Sequence, residues 1–261
     1  LATLRQNYLN LIQRPLHYSF PATASSAKVA SLAVTAGNAG AKWRYWRTNW
    51  ETLMTLDLFP ETANPHANLL PYDGIVSDFG QIFTAAEADR YFEILQRDIP
   101  WRHDEAVIFG KHIITAREVA WYGDTPYNYG YSGANRIALP WSGVLPELKN
   151  RVEAAIADIS PTRFNSCLLN RYNNGNEGMA WHSDEGQGLA KDSAIASLSL
   201  GATRKFAFKH KESKKKREMW LEHGQLIVMH GKTQKHWLHT ILKSTRIQEP
   251  RINLTFRVMA G

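Results

Sequence analysis

The 261-residue chain contains one cysteine, Cys167. One thiol cannot build a disulfide framework, and a zinc site made of paired cysteines is excluded with it. Any metal must be held by His, Asp or Glu. Such sparse cysteine use suits a reducing compartment. No run approaches 18 consecutive apolar residues, so no membrane-spanning helix is expected. No charged opening segment leads into a long apolar stretch, so no secretory signal is expected either. Internal repeats are absent.

Basic residues are in excess. Lys and Arg number 31 against 24 Asp and Glu, a difference of 31 − 24 = +7, and the pI is near 9.4. This balance favours an anionic partner, with nucleic acid the first candidate. Hydrophobic residues make up 44% of the chain, enough for a packed core.

Residues 1–75 differ from the rest and read as an N-terminal extension of unassigned role. "LRQNYLNLIQR" (residues 4–14) has Leu4, Tyr8, Leu11 and Ile12 at helical spacing. An Ala/Ser-rich stretch follows, then "KWRYWRTNW" (residues 42–50). Trp and Arg so placed can stack on bases, although such aromatics more often anchor an extension to its domain. From residue 76 to 261 the chain reads as one α+β domain. "TAAEADRYFEILQRDI" (residues 84–99) starts with a capping box, Thr84 and Glu87, and continues with an apolar stripe of Ala88, Tyr91, Phe92 and Leu95. A second helix is predicted across residues 146–159, with Pro146 in its first turn. Short strand-like runs follow: "NSCLLNRY", "AIASLSLG", "KFAFKH", "EMWLEHGQLIVMHG", "WLHTIL" and "RINLTFRVM". Two helices ahead of many short strands predict helices backing one sheet of a β-sandwich or jelly roll.

The stretch "NRYNNGNEGMAWHSDEG" places His182 and Asp184 two residues apart. On extended backbone these side chains share a face and can reach one ion. A third ligand must come from elsewhere, and His210, His223, His230, His236 and His239 are all candidates. Two histidines and one carboxylate on one face, with open positions, form the ligand set of non-haem Fe(II) oxygenases. In "PRINLTFRV", Arg251, Asn253, Thr255 and Arg257 alternate with Ile252, Leu254, Phe256 and Val258. A strand face carrying two guanidinium groups suits a dicarboxylate, which Arg grips bidentately. Asn170 and Tyr172 share a strand face shortly before the H-x-D pair.

Taken together, "LLNRYNNGNEGMAWHSDE", "IASLSLGATRKFAFKHK", "HGQLIVMHGKTQKHWLHT" and "PRINLTFR" resemble the AlkB family of Fe(II)/2-oxoglutarate dioxygenases, nearest to its eukaryotic DNA-repair members. The resemblance runs from about residue 75 to 259. It implies a double-stranded β-helix (jelly-roll) core at about 160–261 and a nucleotide-recognition lid at about 100–140. It implies that His182, Asp184 and His239 bind iron and act in catalysis, and that Asn170, Tyr172, Arg251, Asn253, Thr255 and Arg257 form the 2-oxoglutarate pocket. Phe109, with Gly110 and Lys111 beside it, falls on a hairpin tip that duplex-acting members push into the base stack. Tyr129 and Tyr131 fall on the base pocket, Tyr131 stacking on a flipped base opposite His182. Glu185 falls beside the substrate base, but Gly186 stands where relatives often carry a second acid. The basic run "KHKESKKKR" (residues 209–217) can grip phosphates.

The implied cofactors are Fe(II), 2-oxoglutarate as cosubstrate, and O2. The implied reaction is oxidative demethylation of 1-methyladenine and 3-methylcytosine in DNA, single- or double-stranded. RNA demethylation, or oxygenation of a protein or small molecule, is the alternative. The expected protein is a monomer without membrane contact, nuclear in a eukaryote or cytoplasmic in a bacterium.

Overall fold

The computed structural model describes residues 63–260 apart from 109–110, 132–133 and 186–187. The helix expected at residues 4–14 and the Trp/Arg segment at 42–50 lie outside the described residues, as do Phe109 and Gly110. The strands are β1 (Ile75–Gln81), β2 (Arg102–Ile108), β3 (Lys111–Gly123), β4 (Asn128–Tyr131), β5 (Ala134–Ile137), β6 (Leu139–Pro140), β7 (Ser166–Tyr172), β8 (Ile195–Gly201), β9 (Arg204–His210), β10 (Lys216–Leu221), β11 (Gln225–His230), β12 (Trp237–Ile241) and β13 (Arg251–Arg257). The helices are α1 (Ala85–Asp98), α2 (Leu145–Ile156) and the single turn α3 (Thr233–His236).

Among the described residues the larger sheet runs β1-β11-β8-β13-β7-β3-β2, with β6 beside β3. The smaller sheet runs β10-β9-β12, and β4 pairs with β5 alone. Strand alternation explains how the layers join. On β11, Leu226 and Val228 face one buried cluster while Ile227 and Met229 face another. The first cluster joins Tyr91 and Leu95 of α1 and Leu148, Val152 and Ile156 of α2 to Leu169, Leu198, Leu254 and Phe256 of the large sheet. The second joins the opposite face of that sheet to Phe206, Phe208, Trp237 and Ile241 of the small one. Helices therefore cover one face and the small sheet the other, the expected α+β jelly roll.

The capping box at α1 is formed in both directions. The Glu87 amide donates to Thr84 Oγ1 at 3.3 Å, and the Thr84 amide donates to Glu87 Oε2 at 2.9 Å. α2 ends at Ile156, three residues before the sequence expectation. Amides of Ile159 and Ser160 both return to Ile156 O, and Pro161 cannot continue the ladder. The run at residues 218–231 divides into β10 and β11. Gly224 sits between them at φ +81°, a left-handed conformation suited to glycine, and the Gln225 amide closes the turn on Glu222 O. The packed domain starts upstream of residue 75. Leu70 is buried in the second cluster, and Asn68 Oδ1 accepts the Val76 amide at 2.9 Å.

Candidate active site

The H-x-D segment lies between β7 and β8 and pairs with β12. The His182 amide donates to His239 O at 3.1 Å, and the His239 amide donates to His182 O at 2.8 Å. This pairing brings the two imidazoles to a centroid separation of 4.2 Å. His182 Nε2 stands 3.9 Å from Asp184 Oδ1. One ligand atom from each of His182, Asp184 and His239 falls within 4.8 Å of the others. Of the five candidate histidines, His239 is thus the one brought to the H-x-D pair. His223 pairs with Asp89, His230 meets Ser160, and His210 and His236 gather around Asp73.

The hydrogen bonds around these groups prepare them for a metal. His182 Nδ1 lies 2.8 Å from Ala180 O. A carbonyl only accepts, so Nδ1 carries the proton and Nε2 keeps its lone pair. Burial lowers the pKa of His182, and it lowers that of His239 to about 3, with His182 nearby adding to the effect. Both rings are therefore neutral donors at physiological pH. Asp184 is fully buried. Burial pushes its pKa up, but the Arg257 guanidinium and the two imidazoles outweigh this and hold it down at about 2. Arg257 Nη2 donates to Asp184 Oδ2 at 2.8 Å, and the Asp184 amide donates to Gln234 Oε1 at 2.9 Å. Two neutral imidazoles and one ionised carboxylate on one face fit Fe(II) and leave its other positions open.

These residues line a cavity of about 100 Å³ between the sheets. The polar face of β13 enters it through Arg251, Asn253, Thr255 and Arg257, while Ile252, Leu254 and Phe256 pack toward the helices. Arg251 is 2% exposed and donates to Ser199 Oγ at 2.9 Å. Among the described residues it has no carboxylate partner. Burial is the main reason its pKa falls to about 10; Arg204 contributes, and Tyr172 opposes. Arg251 Nε, Arg257 Nε and Asn170 Oδ1 are buried without hydrogen-bond partners among the described residues. Unmet donors on two guanidinium groups in one cavity are the complement of a carboxylate ligand. Asn253 and Thr255 line the same wall with their side chains already engaged: Asn253 Nδ2 donates to Ser197 Oγ, and Thr255 Oγ1 donates to Asn253 Oδ1. Tyr172 lies between Arg204 and Arg251, each guanidinium 5.8 Å from its ring centre.

The remaining expected site residues distribute differently. Lys111 opens β3 opposite Ile108, and Tyr129 and Tyr131 lie on β4. Glu185 does not line the cavity; its exposed carboxylate pairs with Lys211 Nζ at 3.0 Å. The structure also adds residues that sequence reasoning passed over. Arg117 of β3 and Asp104 of β2 are buried, form an ion pair and line the cavity with Met179. One signal for Arg117 was available: it shares an alternation register with buried Val119 and Trp121. Arg204, 0% exposed, donates to the carbonyls of Asn174, Gly175, Glu177 and Leu242, and so ties the loop before the H-x-D to the end of β12.

The model of the 2OG-Fe(II) oxygenase superfamily matches residues 76–257. DNA oxidative demethylase ALKBH2 of Mus musculus is 35% identical over 208 residues, spanning 76% of this chain and 85% of the relative. The chain belongs to the AlkB family of 2OG-Fe(II) oxygenases. As an AlkB-family dioxygenase it depends on Fe(II), 2-oxoglutarate and O2. Alpha-ketoglutarate-dependent dioxygenase alkB homolog 3 of Homo sapiens is 37% identical over 66% of this chain and 62% of its own length. Among solved structures, an oxidoreductase of the 2OG-Fe(II) oxygenase family from Burkholderia pseudomallei superposes with a TM-score of 0.51 at 17% identity, over 72% of this chain and 87% of that one. That likeness concerns the fold alone.

Proposed function

We propose that this AlkB-family enzyme removes methyl groups oxidatively from N-alkylated bases in DNA, with 1-methyladenine and 3-methylcytosine as substrates. The observation that carries this reading is the composition of one cavity lining. The His182–Asp184–His239 set and the β13 guanidinium groups share it with Asp104 and Arg117, which come from the lid strands β2 and β3. A base entering between lid and jelly roll meets polar groups and the metal-binding face together. Relatives named as DNA oxidative demethylases support the choice of DNA.

In this reading His182, Asp184 and His239 hold Fe(II). Arg251 and Arg257 grip the carboxylates of 2-oxoglutarate, with Asn170 and Tyr172 completing the pocket and Asn253 and Thr255 bracing the strand. Bound Fe(II) supplies, with 2-oxoglutarate and O2, the power to oxidise the N-methyl carbon, which then leaves the base as formaldehyde. Arg257 fixes the ionised Asp184, and Ala180 fixes the His182 ring. Phe109, Gly110 and Lys111 are assigned to contact with the base stack, and Tyr129 and Tyr131 to the base pocket. Exposed Lys214, Lys215, Lys216 and Arg217 attract the phosphate backbone. Glu185 serves a cationic base only after exchanging Lys211 for it. The enzyme is assigned as a monomer acting on single- or double-stranded DNA. No helix among the described residues is long and apolar enough to cross a membrane.

The test is incubation of the full chain with methylated DNA and RNA oligonucleotides, single and duplex, plus Fe(II), ascorbate and 2-oxoglutarate. Formaldehyde and loss of the methyl mass from DNA are expected, and both vanish in His182→Ala. Turnover of RNA alone moves the assignment to an RNA demethylase. No turnover of any nucleic acid, with 2-oxoglutarate consumed on another substrate, overturns it.

A further inference from the structure

The described residues contain a second group with metal-ligand chemistry, Asp73, His210 and His236, separate from the catalytic triad. The three come from different places: the turn before β1, the end of β9, and α3. Each offers a ligand atom, and these lie within 4.8 Å of one another. His210 Nε2 is 3.3 Å from Asp73 Oδ2. Two ligands of one tetrahedral Zn²⁺ at 2.0–2.1 Å stand about 3.3 Å apart, so this pair already has the edge length of such a site. The two imidazole planes are inclined by only 3°, with ring centres 6.2 Å apart.

The decisive observation is His210 itself. It is 3% exposed, and its Nε2 is buried without a hydrogen-bond partner among the described residues. Asp73 stands within ion-pair distance but out of hydrogen-bonding alignment. A ring nitrogen so placed is costly unless something meets it. The surroundings fix the ring without satisfying that atom. Tyr72 and Trp237 pack edge-on against it at 5.1 and 5.0 Å. On the other side of the ring, Nδ1 lies 3.1 Å from both the amide and the hydroxyl of Ser213, and Tyr72 OH lies 2.7 Å from that hydroxyl.

We propose that Asp73, His210 and His236 bind a zinc-type divalent cation, with solvent as the fourth ligand. Two imidazoles and one carboxylate select a borderline ion such as Zn²⁺ over Mg²⁺ or Ca²⁺. The ion clips the turn ahead of β1 to the base of the basic β9–β10 hairpin and to α3. In the loaded form His210 Nδ1 donates to Ser213 Oγ, the oxygen partner that a ligating histidine requires, and the Ser213 amide turns away from the ring. That turn, and the Lys215 ammonium 5.8 Å from the Tyr72 ring centre, oppose binding and place the site among modest rather than very tight ones.

The test uses the full chain carrying His182→Ala and His239→Ala, which removes the catalytic donors. Zinc is titrated in competition with a chromophoric chelator at neutral pH, and melting is followed with and without zinc. One zinc per chain and a rise in melting temperature are expected. Adding Asp73→Ala or His236→Ala is expected to weaken binding at least tenfold and abolish the rise. These two positions are chosen because both side chains reach the surface, whereas replacing His210 tests folding as well. No zinc retained by the triad-free chain, or binding undiminished by Asp73→Ala and His236→Ala, overturns the proposal.

Discussion

Replacing Arg251 with methionine is expected to stabilise the ligand-free protein while abolishing its response to 2-oxoglutarate. Arg251 is 2% exposed and lacks an anionic partner among the described residues, and its pKa falls from the usual guanidinium value to about 10, chiefly through burial. Holding the charged form there costs folding about 3 kcal/mol. Methionine fills similar space without the charge. The exchange forfeits the bond to Ser199 Oγ, worth about 1–2 kcal/mol, and the contact with the Tyr172 ring, worth roughly 0.5–1 kcal/mol. The balance favours the variant by about 1 kcal/mol, a rise of about 2–4 °C in a domain of this size. With 2-oxoglutarate at about 100 times its Kd and Mn(II) replacing Fe(II), wild type gains about 2.7 kcal/mol and the variant nothing. Differential scanning fluorimetry of both proteins, with and without ligand, reads all four values. A ligand-free variant melting well below wild type, or one keeping the full ligand shift, refutes the view that Arg251 is a buried charge waiting for a carboxylate.

Three further outcomes follow from named groups. His239, held at about 3 mainly by burial, stays neutral in the folded metal-free protein while the unfolded chain takes up a proton below about pH 6.5. Stability is therefore present above pH 6.5 and is lost as pH falls toward 3, by about 1.4 kcal/mol per pH unit from this residue. Urea unfolding of wild type and His239→Leu between pH 7 and 4 measures the difference in slope, and equal slopes contradict it. Arg204→Lys keeps the charge but cannot reproduce four carbonyl contacts, so a loss of about 2–3 kcal/mol in urea unfolding is expected; a loss under about 0.5 kcal/mol rules out the clamp. Lys214→Ala with Lys215→Ala is expected to flatten the plot of log Kobs for DNA against log salt by about 2, and an unchanged slope removes the hairpin from the phosphate track.

Much of this organisation was legible where local rules govern it. The capping box at Thr84, the shared face of His182 and Asp184, and the two-faced character of β13 depend on spacing alone. The third expected ligand was different. Position 239 is 239 − 182 = 57 residues from His182, and only the pairing of the H-x-D segment with β12 singles it out from four other histidines. Spacing carries no register between distant strands, so family resemblance had to supply that choice. Composition also hid the burial of Arg204 and of the Asp104–Arg117 pair, because charged residues are exposed by default and are buried only by tertiary contacts. Glu185 shows the reverse. Its position beside Asp184 pointed toward the base, yet Lys211 from the neighbouring hairpin pairs with its carboxylate.

The central position of β13 has a consequence for how the chain is made. β13 is the last of the described strands in sequence, and it separates β8 from β7 in the large sheet. Until it is inserted, β1, β11 and β8 form one piece and β7, β3 and β2 another, with no direct pairing across the gap. During synthesis the sheet is therefore two halves awaiting a wedge, and closing it depends on contacts of long sequence separation. The wedge also carries Arg251 and Arg257, so the act that joins the halves completes the lining of the cavity. A nascent chain stopped before residue 251 would expose two open strand edges and lack that part of the cavity, and quality control would meet an aggregation-prone species.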